Sequence, residues 1–90
     1  MPQAIMDPEQ VRRFAEELLR FNRDLQGRLS SLHTRFTALS ESWQDQEQAK
    51  FSEEFIQAMN TLKRFVDISE QHVPYLLRKA QRVEDYLRQK

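Results

Sequence analysis

The feature that most constrains the fold is a series of apolar residues that recur every three or four positions from Val11 to Trp43. The successive steps are 3, 4, 3, 4, 4, 3, 4, 3 and 4. Such steps place side chains on one side of an α-helix, whereas strand residues on one face recur every second position. The series therefore predicts one long amphipathic helix with this apolar stripe: Val11, Phe14, Leu18, Phe21, Leu25, Leu29, Leu32, Phe36, Leu39 and Trp43.

Two helix-start signals divide the chain. In the segment MDPEQV, Asp7 precedes Pro8, and Gln10 follows the aspartate by three positions. The segment DQEQ repeats the device, with Asp45 followed three positions later by Gln48. An aspartate cap with a glutamine at the third helical position is typical of helix starts, and proline is common at the first helical position. We therefore expect helices to begin near both segments.

The expected architecture is a single domain over residues 1–90, with helices at about 8–41 and 46–88 and a turn at about 42–45. With one glycine and three prolines, the chain has few residues suited to the tight turns that join β-strands. A connection this short makes neighbouring helices antiparallel. Pro74 lies inside the second segment and costs one backbone hydrogen bond, so we expect a kink near it; the alternative is a break with a separate third helix.

The apolar face of the second helix is too wide for one partner helix to cover. If the hairpin folds about residues 44–45, Phe36 meets Phe51 and Phe55, and Leu19, Met59, Val66 and Leu77 face water. We therefore predict an all-α fold in which two antiparallel helix-turn-helix hairpins pair into a dimeric four-helix bundle. The predicted core of the hairpin or dimer consists of Leu18, Leu25, Leu29, Leu32, Phe36, Phe55, Met59, Leu62, Val66 and Val73.

The sequence lacks the residue arrangements typical of enzymes. It has no cysteine, no glycine-rich phosphate loop and no Glu-x-x-His pair of the kind that binds metals in helical bundles. The two histidines, His33 and His72, would lie about 24 Å apart along the hairpin at about 1.5 Å per residue. We therefore expect no enzymatic activity, no catalytic residue, no metal site and no cofactor.

Charge and hydropathy narrow the range of partners. The chain has 14 lysines and arginines against 14 aspartates and glutamates, whereas nucleic-acid-binding domains are usually basic. No apolar stretch approaches the roughly 18 residues of a membrane span. The start, MPQAIMDPEQ, lacks the basic and apolar regions of a secretory signal peptide. We expect no nucleic-acid partner, no membrane span and no export by the general secretory route.

Two polar features allow more than one interpretation. Asn22 and Ser69 fall opposite each other within the apolar seam, where a polar pair either sets the register of the helices or is merely tolerated. The C-terminal segment LLRKAQRVEDYLRQK is net basic. It either contacts an acidic lipid or partner, or is a solvated helix end favoured by the helix dipole.

The only tryptophan lies at the midpoint of the chain, in the segment LSESWQDQEQAKF. Two amphipathic helices of this length, joined at a central tryptophan and followed by an aromatic residue, resemble the WXG family of small type VII secretion substrates, also called the early secreted antigenic target family. Leu39, Trp43, Asp45 and Phe51 carry the resemblance, which covers nearly the whole chain. Asp45 replaces the glycine of the Trp-x-Gly motif, and aspartate tolerates turns and caps helices.

The resemblance implies a non-enzymatic, virulence-associated protein that pairs with itself or with a paralogous hairpin and binds a type VII secretion ATPase or an effector. Trp43, Asp45 and Phe51 are implied in partner recognition, although Trp43 as a plug over the end of the core is the structural alternative. The family's export signal has an acidic residue four positions after a tyrosine, whereas Lys90 follows Tyr86. Tyr86 therefore marks only a candidate export region.

The resemblance also implies synthesis in the bacterial cytoplasm and secretion without a cleaved signal peptide. Because the acidic residue of the export signal is replaced, we expect either export together with a partner that carries the signal or retention in the cytoplasm. In the second case the protein is an adaptor or chaperone that presents an effector to the export machinery.

Overall fold

The computed structural model describes residues 6–89 and shows an all-helical hairpin in that range. Helix α1 comprises Pro8–Ser42 and helix α2 comprises Gln46–Arg88. The two helices pack side by side along a rod of 68 × 18 × 15 Å. The predicted all-α hairpin is therefore confirmed, and its shape follows from the amphipathic pattern and the short connection.

Side-chain caps define where α1 begins and backbone geometry defines where it ends. The Asp7 carboxylate accepts a hydrogen bond from the Glu9 backbone N–H at 3.0 Å, and Pro8 occupies the first helical position. At the other end, Trp43 has an extended backbone with φ −129° and ψ 105°. Its N–H still donates to the Leu39 carbonyl at 3.0 Å. The helix therefore ends at the residue before the tryptophan.

Helix α2 continues through Pro74 to Arg88. The side chain of Pro74 is exposed, whereas its neighbour Val73 and the later residue Ala80 are buried against α1. Because buried residues lie on both sides of the proline, both halves of α2 pack against α1, and the missing hydrogen bond is tolerated at an exposed position. The alternative with a separate third helix does not form, and a kink near Pro74 stays a prediction.

The seam between the helices is a narrow strip of side chains that recur every seven residues. Residues seven apart return to nearly the same side of a helix and can therefore all face one partner. Ala15 and Ala80 lie at the end of the strip farthest from the turn and are both 0% exposed. Their small side chains allow the helices to approach closely there. The buried residues are Ala15, Asn22 and Leu29 from α1 and Met59, Val66, Ser69, Val73 and Ala80 from α2.

The seam lies on a different part of the apolar stripe from the one predicted. Met59 and Val66, which the sequence pattern left uncovered in a single hairpin and assigned to the interface with a second one, are 5% and 1% exposed within the hairpin. That expectation was wrong because the line through residues 59, 66, 73 and 80 packs against α1. Of the predicted core residues, four are buried, namely Leu29, Met59, Val66 and Val73; Leu18, Leu25, Phe36 and Phe55 are half-buried; Leu32 and Leu62 are exposed.

Candidate partner-binding site

Trp43 stands at the closed end of the hairpin, where the chain leaves α1. Its side chain is half-buried, and its ring centroid lies 5.9 Å from that of Phe51, which is 40% exposed. Phe51 belongs to the second turn of α2, so the indole spans the gap between the helix ends. One part of the indole is thus packed while another part is accessible to solvent, an arrangement common at binding anchors.

Three phenylalanines extend this contact into the hairpin. Phe36 lies 6.0 Å from Phe51 and 4.7 Å from Phe55, measured between ring centroids, which confirms that these residues meet across the turn. Phe51 and Phe55 are stacked at 5.6 Å. Separations of about 4.5 to 7 Å are those at which aromatic rings attract one another. We call Phe36, Trp43, Phe51 and Phe55 the turn cluster.

Asp45 closes the turn by capping α2. Its Oδ1 accepts a hydrogen bond from the Gln48 backbone N–H at 2.9 Å, and its own backbone is extended, with φ −103° and ψ −174°. None of the described residues has a positive φ. Because the turn does not use the left-handed conformation that favours glycine, aspartate at position 45 is compatible with the backbone and adds a cap.

Gln48 ties the two helices together beside the turn. Its side-chain amide nitrogen donates to the Ser40 hydroxyl of α1 at 3.0 Å and to the Ser52 hydroxyl at 2.7 Å. The sequence indicated only that Gln48 belongs to a capping sequence. No sequence signal pairs it with Ser40, because that contact depends on the angle at which α2 leaves the turn.

Substitutions of Asp45 should show whether its side-chain cap contributes to the stability of the fold. We expect Asp45→Ala to lower the melting temperature, Asp45→Gly to lower it less, and Asp45→Asn to retain most of the wild-type value, because asparagine and glycine are good capping residues and alanine is a poor one. Thermal unfolding followed by circular dichroism measures this order. Equal losses for alanine and glycine would contradict the capping role.

The same cap predicts sensitivity to acid. The backbone N–H of Gln48, with a smaller effect from the Trp43 side chain, lowers the pKa of the Asp45 carboxyl below its ordinary value of 3.8. A group whose pKa is lower in the folded state contributes stability above its unfolded pKa and loses it as the pH falls through the folded value. We therefore expect this contribution to decline in the wild type as the pH falls from about 4 through the lower folded-state pKa, and to be missing in Asp45→Asn, as urea unfolding at several pH values would show.

A charged network joins the helices at the open end of the hairpin. The Arg12 guanidinium lies 2.7 Å from the Glu84 carboxylate and 3.2 Å from that of Glu9. Hydrogen bonding to Glu84 raises the pKa of Arg12, and the same bond lowers the pKa of Glu84. The pair holds the last turns of α2 against α1. Tyr86, the candidate export residue, follows Glu84 by two positions and is 57% exposed.

One side of the hairpin exposes large apolar residues along most of its length. The Phe21 and Phe65 rings, 52% and 45% exposed, contact each other edge to face across the helices with centroids 6.1 Å apart. Helical spacing puts six further residues on the same side of the seam. We call this surface the open apolar face: Phe14, Phe21, Leu32, Leu39, Phe51, Leu62, Phe65 and Tyr86.

The opposite side of the seam carries a smaller, mixed groove of about 380 Å³. Its floor is made of seam residues and its rim is polar, with His33 on α1 and Lys63 and Asp67 on α2. His33 and His72 lie on different helices and are both exposed. Across residues 6–89, no cluster of histidines and carboxylates has the arrangement needed to hold a metal ion. Within the same residues, neither α1 nor α2 contains an apolar run that could span a lipid bilayer.

Two long helices, a tryptophan cluster at their turn and one uncovered apolar face define a class of small helical-hairpin proteins. The chain belongs to the WXG100 family, described as proteins of 100 residues with WXG, whose family model matches residues 3–86. The resemblance seen in the segment around Trp43 is thereby confirmed. Members are small helical proteins secreted through type VII systems, are not known enzymes and typically pair as dimers. No curated protein and no solved structure gives a significant match to the chain.

Proposed function

We propose that this protein is a dimeric type VII secretion substrate, exported alone or with a partner, that acts by binding other proteins. The observation that carries the proposal is the open apolar face, which runs from the turn cluster toward Tyr86. A single small chain rarely leaves so long an apolar surface in water. A second hairpin packed on the central part of this face, around Phe21, Leu32, Leu62 and Phe65, would complete a four-helix bundle, and its two-fold symmetry would match the face with itself.

The first step to test is dimerisation through the open apolar face. Leu32 and Ile68 are both 47% exposed, but Leu32 belongs to this face and Ile68 lies on the outer side of α2. We expect Leu32→Glu to weaken the dimer at least about a hundredfold, because each subunit would bury an unpaired carboxylate. Ile68→Glu should leave the dimer nearly unchanged. Sedimentation equilibrium measures both, and a wild-type monomer at micromolar concentration would rule out self-pairing.

In this proposal the turn cluster provides the recognition surface for the export machinery. Trp43 is half-buried, so part of its side chain remains available to a partner, whereas a fully buried plug would offer none. We expect Trp43→Ala to lose export to a much greater extent than it loses helicity or dimer affinity, and Trp43→Phe to retain part of the export. Export is the fraction of protein in the culture medium of a host with an intact type VII system. Normal export of Trp43→Ala would leave only a structural role for the tryptophan.

Tyr86 supports export together with a partner. It is exposed at the open end of the hairpin, but Lys90 occupies the position four residues later where the family's signal has an acidic residue. A paralogous hairpin with an intact tyrosine-acidic tail would supply that signal to the pair. Restoring the pattern with Lys90→Glu should then allow export without this partner, and no gain would count against Tyr86 as part of a signal.

The lysine at position 90, where the family's signal has an acidic residue, also favours a second function. In it the protein is a cytoplasmic adaptor that presents an effector to the export machinery and remains in the cell. The two functions differ in where the chain accumulates while its partner is exported. If the partner appears in the medium and this chain stays in the cells, the adaptor function is correct. If both appear in the medium in similar amounts, the chain is a co-exported substrate.

A further inference from the structure

The outer side of α2 carries a second regular series of residues that the hairpin does not use. Arg64, Ile68, Gln71, Tyr75, Arg78 and Arg82 follow steps of 4, 3, 4, 3 and 4 and are all exposed. Steps of three and four align side chains along one side of a helix. Within this line, Ile68 and Tyr75 are 47% and 49% exposed. We call these six residues the outer stripe.

The outer stripe is separate from both the seam and the open apolar face. Ile68 follows the buried residue Val66 by two positions, and Tyr75 follows Val73 in the same way. Two positions correspond to about 200° around a helix, so the stripe points away from α1. A second hairpin on the open apolar face would leave the stripe accessible. The fold therefore gives no structural reason for an isoleucine and a tyrosine at these positions.

The charges of the stripe are of one sign. Arg64, Arg78 and Arg82 make no ion pair with any carboxylate of residues 6–89; the pairs in that range involve Arg12, Arg28 and Arg88. No stripe position carries a carboxylate. Asp67 and Glu70 each adjoin a stripe residue in sequence, and Asp85 occupies the next position of the same helical line. Asp85 accepts a hydrogen bond from Gln81 at 2.9 Å. In a chain with balanced total charge, this concentration of positive charge is local.

We infer that the outer stripe docks an acidic amphipathic helix of a partner protein. The stripe spans about 27 Å at 1.5 Å per residue, the length of a helix of about five turns. Apolar residues of such a helix would cover Ile68 and Tyr75, and its carboxylates would bind the planar guanidinium groups of the arginines, which suit paired hydrogen bonds to carboxylates. Tyrosine and arginine are also among the residues that most often anchor protein interfaces.

Charge complementarity favours a protein helix over a membrane or a nucleic acid. An anionic membrane would attract the three arginines but offers no side chains spaced to match Ile68 and Tyr75, and two apolar side chains bury little surface in lipid. A nucleic acid would gain few phosphate contacts from three arginines in a chain with no net positive charge. The inference concerns a surface outside the dimer face and the turn cluster, so it stands or falls independently of the proposed export function.

The test compares two pairs of arginine substitutions with the same change in net charge. The probe is a fluorescently labelled helical peptide of about 20 residues, with leucines at three- and four-residue spacing between glutamates. We expect micromolar binding by the wild type and about tenfold weaker binding by Arg78→Gln with Arg82→Gln, because two exposed ion pairs with the peptide are lost. The matched control, Arg20→Gln with Arg23→Gln on the exposed side of α1, should bind as the wild type does.

A third variant and a second ligand complete the test. Tyr75→Ala should weaken peptide binding without changing the charge, and circular dichroism and sedimentation should show an unchanged fold and oligomeric state for every variant. Equal losses in the two arginine pairs would overturn the proposal, because attraction would then be non-specific. Stronger binding to vesicles of anionic phospholipid or to single-stranded RNA than to the peptide would also overturn it. Failure of peptide binding in the wild type would do the same.

Discussion

Leu29→Ala should remove about 2 to 5 kcal/mol from the free energy of unfolding and leave much of the chain unfolded. Leu29 is 6% exposed and lies with Met59 and Val66 in the centre of the seam. Small domains have only about 5 to 15 kcal/mol of net stability, and this seam is one side chain wide. Urea unfolding followed by circular dichroism measures the loss, and sedimentation shows whether dimerisation weakens with it.

Leu32→Ala is the matched control, since Leu32 follows Leu29 by three positions on the same helix but is 47% exposed. In the isolated hairpin its removal should cost much less, because nearly half of its surface is already in water. Any larger effect should appear in dimer affinity, since Leu32 belongs to the open apolar face. Similar losses of hairpin stability for Leu29→Ala and Leu32→Ala would contradict the position of the seam described above.

Substitution of one member of the buried polar pair in the seam should lower the free energy of unfolding, whereas substitution of both members should not. Asn22 is 0% exposed, and its amide nitrogen donates to the Ser69 hydroxyl at 2.7 Å, while that hydroxyl donates to the Val66 carbonyl at 3.1 Å. The Asn22 Oδ1 atom accepts no hydrogen bond within the described part of the chain. Ser69→Ala would leave the whole buried amide unpartnered and should cost about 1 to 3 kcal/mol. Ser31→Ala, at an exposed position of α1, should have little effect.

Replacement of both partners should reverse the loss. With Ser69→Ala in place, Asn22→Leu removes the unpartnered amide and substitutes an apolar side chain of similar shape, so the double variant should be at least as stable as the wild type. The stability gained should come with looser register, visible as a less cooperative unfolding transition or a second dimeric species. If the double variant loses the sum of the two single losses, the polar pair does not act as a unit.

Local sequence signals identified the elements and the turn but not the residues that would form the seam. The spacing from Val11 to Trp43 indicated a helix, and Asp7 and Asp45 marked positions at which the structure places caps. The contacts of the Phe36 ring with the rings of Phe51 and Phe55 were also predicted, by folding the chain about its midpoint. These features depend on residues close in sequence or related by a simple antiparallel alignment, so one-dimensional patterns contain them.

The apolar stripe is wider than one seam, and this is why the pattern could not select the buried line. Met59 and Val66 were expected to be left uncovered by a single hairpin and buried by a second one, yet they are buried within the hairpin itself, while Leu62, on the neighbouring line, is 41% exposed. The small side chains of Ala15 and Ala80 allow close approach on the line they occupy, and that preference depends on both helices together. The exposed line that remains is the one for which we propose a second hairpin.

The sequence by itself determined two helices, their caps, an antiparallel turn at Trp43 and membership of a family, because these depend on helical periodicity and on one local segment. Only the tertiary structure decided which apolar residues are buried, that Gln48 reaches Ser40, and that Arg12 pairs with Glu84 across 72 positions of sequence. Such contacts depend on the rotation of each helix about its axis and on their relative shift. Those two variables are determined by packing between helices, which no single segment encodes.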